Sequence, residues 1–240
     1  VTITDHGSMA GAVELYRTAD KAGIRPIIGC EVYLVDDRRA KEPPGRRDWA
    51  HLTLLAKDLE GYHNLVRLVT LGYLEGYHYK PRVDLELLAQ HAKGLIALSG
   101  CLASRVNQAL LADDEDAARR ELDLMVQMFG AENVYVEIQD AGLEEHHRVN
   151  PGLLRLADEL GLQTVGTGDV HYLRAEDADP HEVLLCIQTG DVLANEKRFR
   201  FPNKEFFLKT PDEMRRAFEP YGRDLLSLSR EEIRQIRGKD

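Results

Sequence analysis

The sequence has few cysteines, no long apolar run and no phosphate-binding glycine loop, and each lack closes off a class of function. Cys30, Cys101 and Cys186 are its only cysteines. Three scattered thiols make no disulfide framework and agree with a reducing compartment. No stretch of about 18 consecutive apolar residues occurs, so a membrane span is not expected. The N-terminus lacks the charged segment and apolar core of a secretion signal. A soluble, cytoplasmic protein is the expectation. A glycine-rich phosphate loop, a paired Cys-x-x-Cys and a Gly-x-Ser-x-Gly elbow are all missing. That argues against P-loop nucleotide hydrolysis and covalent serine chemistry.

Positive charge is also in deficit, with 31 Lys and Arg against 41 Asp and Glu and a formal net charge of −10. Such a balance disfavours a surface that grips nucleic acid throughout. It leaves room for a phosphate substrate, because carboxylates that hold divalent cations count as negative although the loaded site is electropositive. Two local basic clusters stand out: Arg38, Arg39, Lys41, Arg46 and Arg47, then Lys197, Arg198, Arg200 and Lys204. Both read first as solvated loops, with contacts to a phosphate backbone as the alternative.

What the chain does have is 43% hydrophobic residues in 240, enough for a full core. It opens at Val1 inside an apolar strand, which reads as a chain whose preceding segment is absent. Ser8 looks like an N-cap, followed by Met9, Ala12, Val13, Tyr16 and Ala19 at helical spacing and Gly23 as a stop. Strands are expected at 26–31, 51–56, 95–101, 133–139 and 163–168. Helices are expected around 65–71, over 84–92, over 110–129 and over 144–160. The repeated alternation favours an α/β barrel or a doubly wound sheet. Beyond His171 the pattern changes to a helix at 179–187, a short strand at 206–208 and a proline-initiated helix at 211–218. Ser229 to Arg237 carries a capping-box pattern with few apolar residues.

Residues able to bind metal recur where these strands end. Asp169 and His171 are two apart in an extended segment, so both side chains face one way and can reach one cation or two adjacent ones. Carboxylate and imidazole together suit Zn²⁺, Mn²⁺ or Fe²⁺. An ordinary polar strand end fits that triplet equally well. His6 ends the first strand, with Asp5 beside it to orient a neighbour or cap the next helix. Glu31 lies between Cys30 and Val32, which face the other way, so its carboxylate needs a partner: a cation or a structural ion pair. Cys101 follows Ser99-Gly100 and, taken alone, reads as a buried inert thiol. His51 is either a further imidazole ligand or a satisfied core-edge histidine. Glu137 is an inward-facing candidate of lower standing, and His63, His78, His91, His146, His147 and His181 read as surface or structural. Metal-assisted phosphoester hydrolysis is the chemistry left standing.

Thr4-Asp-His-Gly7, Gly29-Cys-Glu-Val-Tyr33, Ser99-Gly-Cys101 and Gly168-Asp-Val-His171 resemble the polymerase and histidinol phosphatase (PHP) domain. The version is the one that opens bacterial replicative DNA polymerase III alpha subunits. His51-Leu-Thr-Leu-Leu-Ala56, Gly61-Tyr-x-Asn-Leu65, Tyr79-Lys-Pro-Arg82 and His181-Glu-Val-Leu184 narrow the match, which spans about residues 1 to 225. The resemblance implies a distorted seven-stranded (β/α) barrel, incomplete at its N-terminus, with a C-terminal α+β extension. It divides the chain into a barrel over 1–175, an extension over 176–226 and a polar tail over 227–240. His6, Glu31, His51, Cys101, Asp169 and His171 take ligand positions for two or three divalent ions, with Zn²⁺ foremost and Mn²⁺ or Fe²⁺ as alternatives. His6, Glu31, Asp169 and His171 take the catalytic roles. The family's opening His-x-His motif is expected upstream of Val1, and the text after Leu226 departs from the family.

Members with a full ligand set resemble phosphoesterases that trim DNA 3′ ends. Degenerate members resemble scaffolds for the polymerase core and the proofreading subunit. DNA, the remaining polymerase III alpha domains and the proofreading subunit are the implied partners, with Mg²⁺ at the polymerase site of such a parent.

Overall fold

Short apolar runs and period-two alternation build one curled seven-stranded sheet. The computed structural model describes residues 1–41 and 49–222; Arg46, Arg47 and the expected helix at 229–237 lie outside them. The strands are β1 (Thr2–Ile3), β2 (Ile27–Leu34), β3 (Ala50–Ala56), β4 (Arg82–Val83), β5 (Leu95–Leu98), β6 (Val134–Gln139) and β7 (Gln163–Thr167). Their order is β1-β2-β3-β5-β6-β7, with β4 on β2. Helices α1 (Ala12–Lys21), α2 (Leu59–Leu74), α3 (Leu85–His91), α4 (Arg105–Leu111), α5 (Glu115–Phe129) and α6 (Glu144–Leu160) separate them, followed by α7 (Ala178–Thr189) and α8 (Pro211–Phe218). This is an incomplete α/β barrel of mixed sheet.

The alternation of elements implied a parallel sheet, and in one place the structure differs. β3 runs antiparallel to both β2 and β5, while β1-β2, β5-β6 and β6-β7 are parallel. Among the described residues no helix lies between β2 and β3, and a helical crossover is what a parallel pair needs. One edge of β2 pairs with β3 along Gly29 to Leu34. The other edge is shared: β1 pairs at Ile27 and Ile28, His6 bridges to Glu31, and β4 pairs at Tyr33 and Leu34. Segments 6 and 82 are thereby set side by side.

Inward faces of the strands meet the helices in one core that includes Cys30, Val32, Leu54, Leu65, Leu122, Val136 and Leu156. Phe218 of α8 joins it, its ring packed over the bare backbone of Gly166 in β7. Other local expectations shift. α1 begins at Ala12 with no side-chain cap, because Ser8 accepts from the Ala10 amide instead and Asp5 caps nothing there. The helix expected over 110–129 is two, α4 and α5. Asp113 breaks it with φ of 58° and Asp114 caps the second by accepting from the Ala117 amide. Phe206 to Leu208 makes a single bridge, Tyr172 to Phe207, rather than a strand.

α2 is fixed to the sheet by a close backbone approach. Asp58 caps it, accepting from the Gly61 amide at 2.8 Å, and the Lys57 amide donates to the Gly94 carbonyl at 2.9 Å. A β-carbon at Gly61 would stand 1.7 Å from that carbonyl oxygen. Backbone cannot yield as a flexible side chain does. Gly61→Ala should therefore cost about 3 kcal/mol or more, read as a lowered urea midpoint; an unchanged midpoint would refute the contact.

Candidate metal centre

Alternation in β2 sends Cys30 and Val32 into the core and leaves Glu31 and Tyr33 on the opposite face. Glu31 is nonetheless buried. His6 Nδ1 stands 2.5 Å and His51 Nδ1 2.8 Å from the same oxygen, Glu31 Oε1. Neither ring aims an N–H along the line to it, so this buried oxygen has no hydrogen-bond donor. The three ligand atoms lie within 4.8 Å of one another. Register explains the meeting. His6 bridges to Glu31 across one edge of β2, and His51 pairs with Tyr33 across the other, diagonal to Glu31 on the same face.

Charge follows geometry. Burial pushes the Glu31 carboxyl up, but the imidazoles of His51 and His6 outweigh it and hold the group at about 2. The carboxylate in turn raises His6, against the opposing effect of burial. Two imidazoles around an oxygen that lacks a hydrogen-bond donor are a donor set that fits a divalent cation of the Zn²⁺, Mn²⁺ or Fe²⁺ type.

The other expected ligands ring this cluster without joining it by direct carboxylate contacts. Cys101 Sγ is 3.4 Å from His51 Nδ1, and its thiol is pushed well up by burial and then by the charges of Glu31 and Asp169. Burial likewise raises Asp169, with His171 pulling it down and Glu31 pushing it up. Asp169 has φ of 45°, a left-handed turn that an aspartate tolerates. His171 Nδ1 lies 2.8 Å from the Asp169 backbone carbonyl, which can only accept. Nδ1 therefore carries the proton and Nε2 keeps its lone pair for a cation. The His171 ring is 5.9 Å from that of His6 and 4.7 Å from Phe201.

Glu137 lies buried behind the cluster, raised to about 7 by burial. It accepts from the Gly100 amide, from Gln139 and from the Thr167 hydroxyl, so it ties the turn before Cys101 to the end of β7. Two site neighbours carry no obvious sequence signal of metal chemistry. Tyr33 lies 5.4 Å ring to ring from His51, and Trp49 packs edge-on against Tyr33. Each sits two residues from a ligand in an extended segment, which is the signal that finds them.

Several members of the two basic clusters are engaged with protein. Arg38, expected in a solvated loop, is buried and donates to Asp84 at 2.7 Å and to Glu75 at 2.9 Å. Burial of a guanidinium requires such partners. Arg198 pairs with Glu182 and Lys204 with Asp179.

The fold is an incomplete α/β barrel, and His6, Glu31 and His51 form a group in it that could hold a metal ion. A profile of the PHP domain matches residues 1–141, more than half of the chain. The chain belongs to the PHP domain family. Asp169 and His171 lie past the matched stretch. DNA polymerase III subunit alpha of Deinococcus radiodurans is 49% identical over 222 residues, covering 90% of this chain and 17% of that relative. The subunit from Thermus aquaticus is 48% identical over 218 residues, 90% of this chain and 18% of its own length. That from Treponema pallidum is 41% identical over 233 residues, 96% and 20% respectively. The chain thus spans about a fifth of the length of these curated relatives. No helix among the described residues is long and apolar enough to cross a membrane.

Because Glu31 raises His6, a cation must displace a proton there, and metal affinity should climb as pH rises through the neutral range. Chelator competition with Zn²⁺ at pH 6, 7 and 8 measures it. Glu31→Gln should lower affinity at every pH by about tenfold or more and flatten the climb. Affinity independent of pH in the native chain would count against His6 as a ligand.

Proposed function

We propose that this chain is the PHP portion of a replicative DNA polymerase III alpha subunit. In this reading its rim is a metal-dependent phosphoesterase or 3′–5′ exonuclease-like site acting on DNA 3′ ends. The observation that carries it is the convergence of His6 and His51 on the buried Glu31 oxygen. His6, Glu31, His51, Cys101, Asp169 and His171 would hold two or three divalent cations. A thiolate and imidazoles favour Zn²⁺ over Mg²⁺, with Mn²⁺ or Fe²⁺ also suited. Bound cations at such a site supply Lewis acidity and a nucleophilic water at neutral pH.

The chain's own groups do the positioning. Glu31 already bears charge that can hold a cation, Asp169 gives up the proton that burial favours, and the Asp169 carbonyl keeps His171 in the tautomer whose Nε2 is free to bind. Glu137 holds the Gly100 turn so that Cys101 faces His51. DNA, the remaining polymerase domains and the proofreading subunit are the partners of this reading, and Mg²⁺-dependent DNA synthesis belongs to the rest of the parent subunit.

One observation favours a second reading. The three convergent ligands come from β3, β2 and the end of β1, three neighbours in the sheet, so a cation there would staple the barrel and serve a scaffold for polymerase and proofreading subunit. Asp169→Asn and His171→Ala separate the two. An active site predicts that a 3′-labelled oligonucleotide is trimmed by the metal-loaded chain, and that each substitution slows this by about a hundredfold or more. If no trimming occurs and the same substitutions only lower the melting temperature, the scaffold reading replaces it.

A further inference from the structure

The last turn of α2 and the turn that follows it to β4 carry three tyrosines outside the His6, Glu31 and His51 group. Tyr73, Tyr77 and Tyr79 are 48%, 59% and 61% exposed. Tyr73 and Tyr77 lie one turn apart along the chain, and their rings stack at 6.0 Å with only 15° between planes. Tyr79 is held at the tip of the turn with φ of 60°, costly for a tyrosine, between His78 and Lys80, whose backbones bridge one another. Its ring packs on His78 at 4.5 Å.

This turn is fixed against the metal cluster. A β-carbon on Gly7, next to His6, would meet Pro81 at 2.7 Å and Tyr33 at 3.0 Å, so the turn abuts the His6 segment directly. Lys80 Nζ sits 5.2 Å over the Tyr33 ring, and that ring is 6.2 Å from His6. The Lys80 charge also weighs on His6, and Tyr73 on Tyr33. Lys80 makes no ion pair among the described residues, whereas Arg38 and Arg39 close by are taken up by Glu75, Asp84 and Glu86.

We infer that Tyr73, Tyr77 and Tyr79, with Lys80 between them and the metal cluster, form a stacking ledge for unpaired bases of a single-stranded nucleic acid whose end reaches that cluster. A small phosphate ester has no use for flat exposed rings. A polynucleotide strand offers bases to stack on them and phosphates for Lys80, the combination by which single strands are held without sequence preference. On a chain of net charge −10, Lys80 sets a positive charge among exposed rings beside the His6 segment. The inference rests on the phosphoesterase reading of the rim and assigns the residues that hold the unpaired strand leading to it.

The test is fluorescence anisotropy of a 5′-labelled oligothymidylate of about twelve nucleotides with the 240-residue chain, in chelator so that nothing is hydrolysed. Tyr77→Ala and Tyr79→Ala should each weaken binding by about tenfold, and Tyr77→Phe should bind like the native chain. Lys80→Gln should weaken binding and lessen its salt dependence by about one counterion, with Lys80→Arg restoring both. Unchanged affinity in both alanine variants, equal affinity for a blunt duplex, or no binding by the native chain would each overturn the ledge. Zn²⁺ stoichiometry, measured on the same preparations before chelator is added, keeps the two readings apart. Absence of metal defeats the phosphoesterase site alone, and full metal with indifferent tyrosines defeats the ledge alone.

Discussion

The meeting of two imidazoles at one buried carboxylate oxygen is the constraint on which the rest of the rim depends. Glu31 has no exposed position available to it, because the strand that carries it is buried along most of its length. A carboxylate in that place costs several kcal/mol unless positive charge or a cation faces it. His6 and His51 face that carboxylate from the two flanking edges of β2. For both to arrive, the β1 bridge and the β3 register must be as they are. A slip of one residue in β3 would turn His51 to the core face and bring an apolar side chain to Glu31.

That same carboxylate organises its surroundings electrostatically. It pushes the Cys101 thiol and Asp169 upward after burial has already done so. Buried acids gathered this closely repel one another when ionised, and a divalent cation removes the conflict at once. A cation held by these acids would make the negative net charge of the chain compatible with the anionic substrate proposed for it. Lys80, standing over Tyr33 at the rim, adds a positive charge that opposes the rise of His6.

Much of this was legible before any coordinates. Period-two alternation put Cys30 and Val32 in the core and Glu31 opposite them, and helices such as Glu144 to Leu160 lie where apolar spacing and Gly161 place them. Other features escaped because they depend on partners distant in sequence. Nothing local reverses β3. Nothing in Leu110 to Phe129 shows that Asp113 turns left-handed rather than continuing the helix. The basic run at Arg38 and Arg39 looks solvated until Asp84 and Glu86 are brought to it across more than forty residues.

The sequence by itself determined the types of the ligands and the faces they occupy, because side-chain direction along a strand repeats every two residues and needs no partner. Tertiary structure alone decided which of them meet. His6, Glu31 and His51 are far apart in the chain, and only the sharing of one β2 edge by β1, His6 and β4, with β3 along the other, brings them within reach. The same sharing set the tyrosine turn beside Gly7, since pairing across strands is fixed by hydrogen-bond register between distant segments and not by any pattern within one of them.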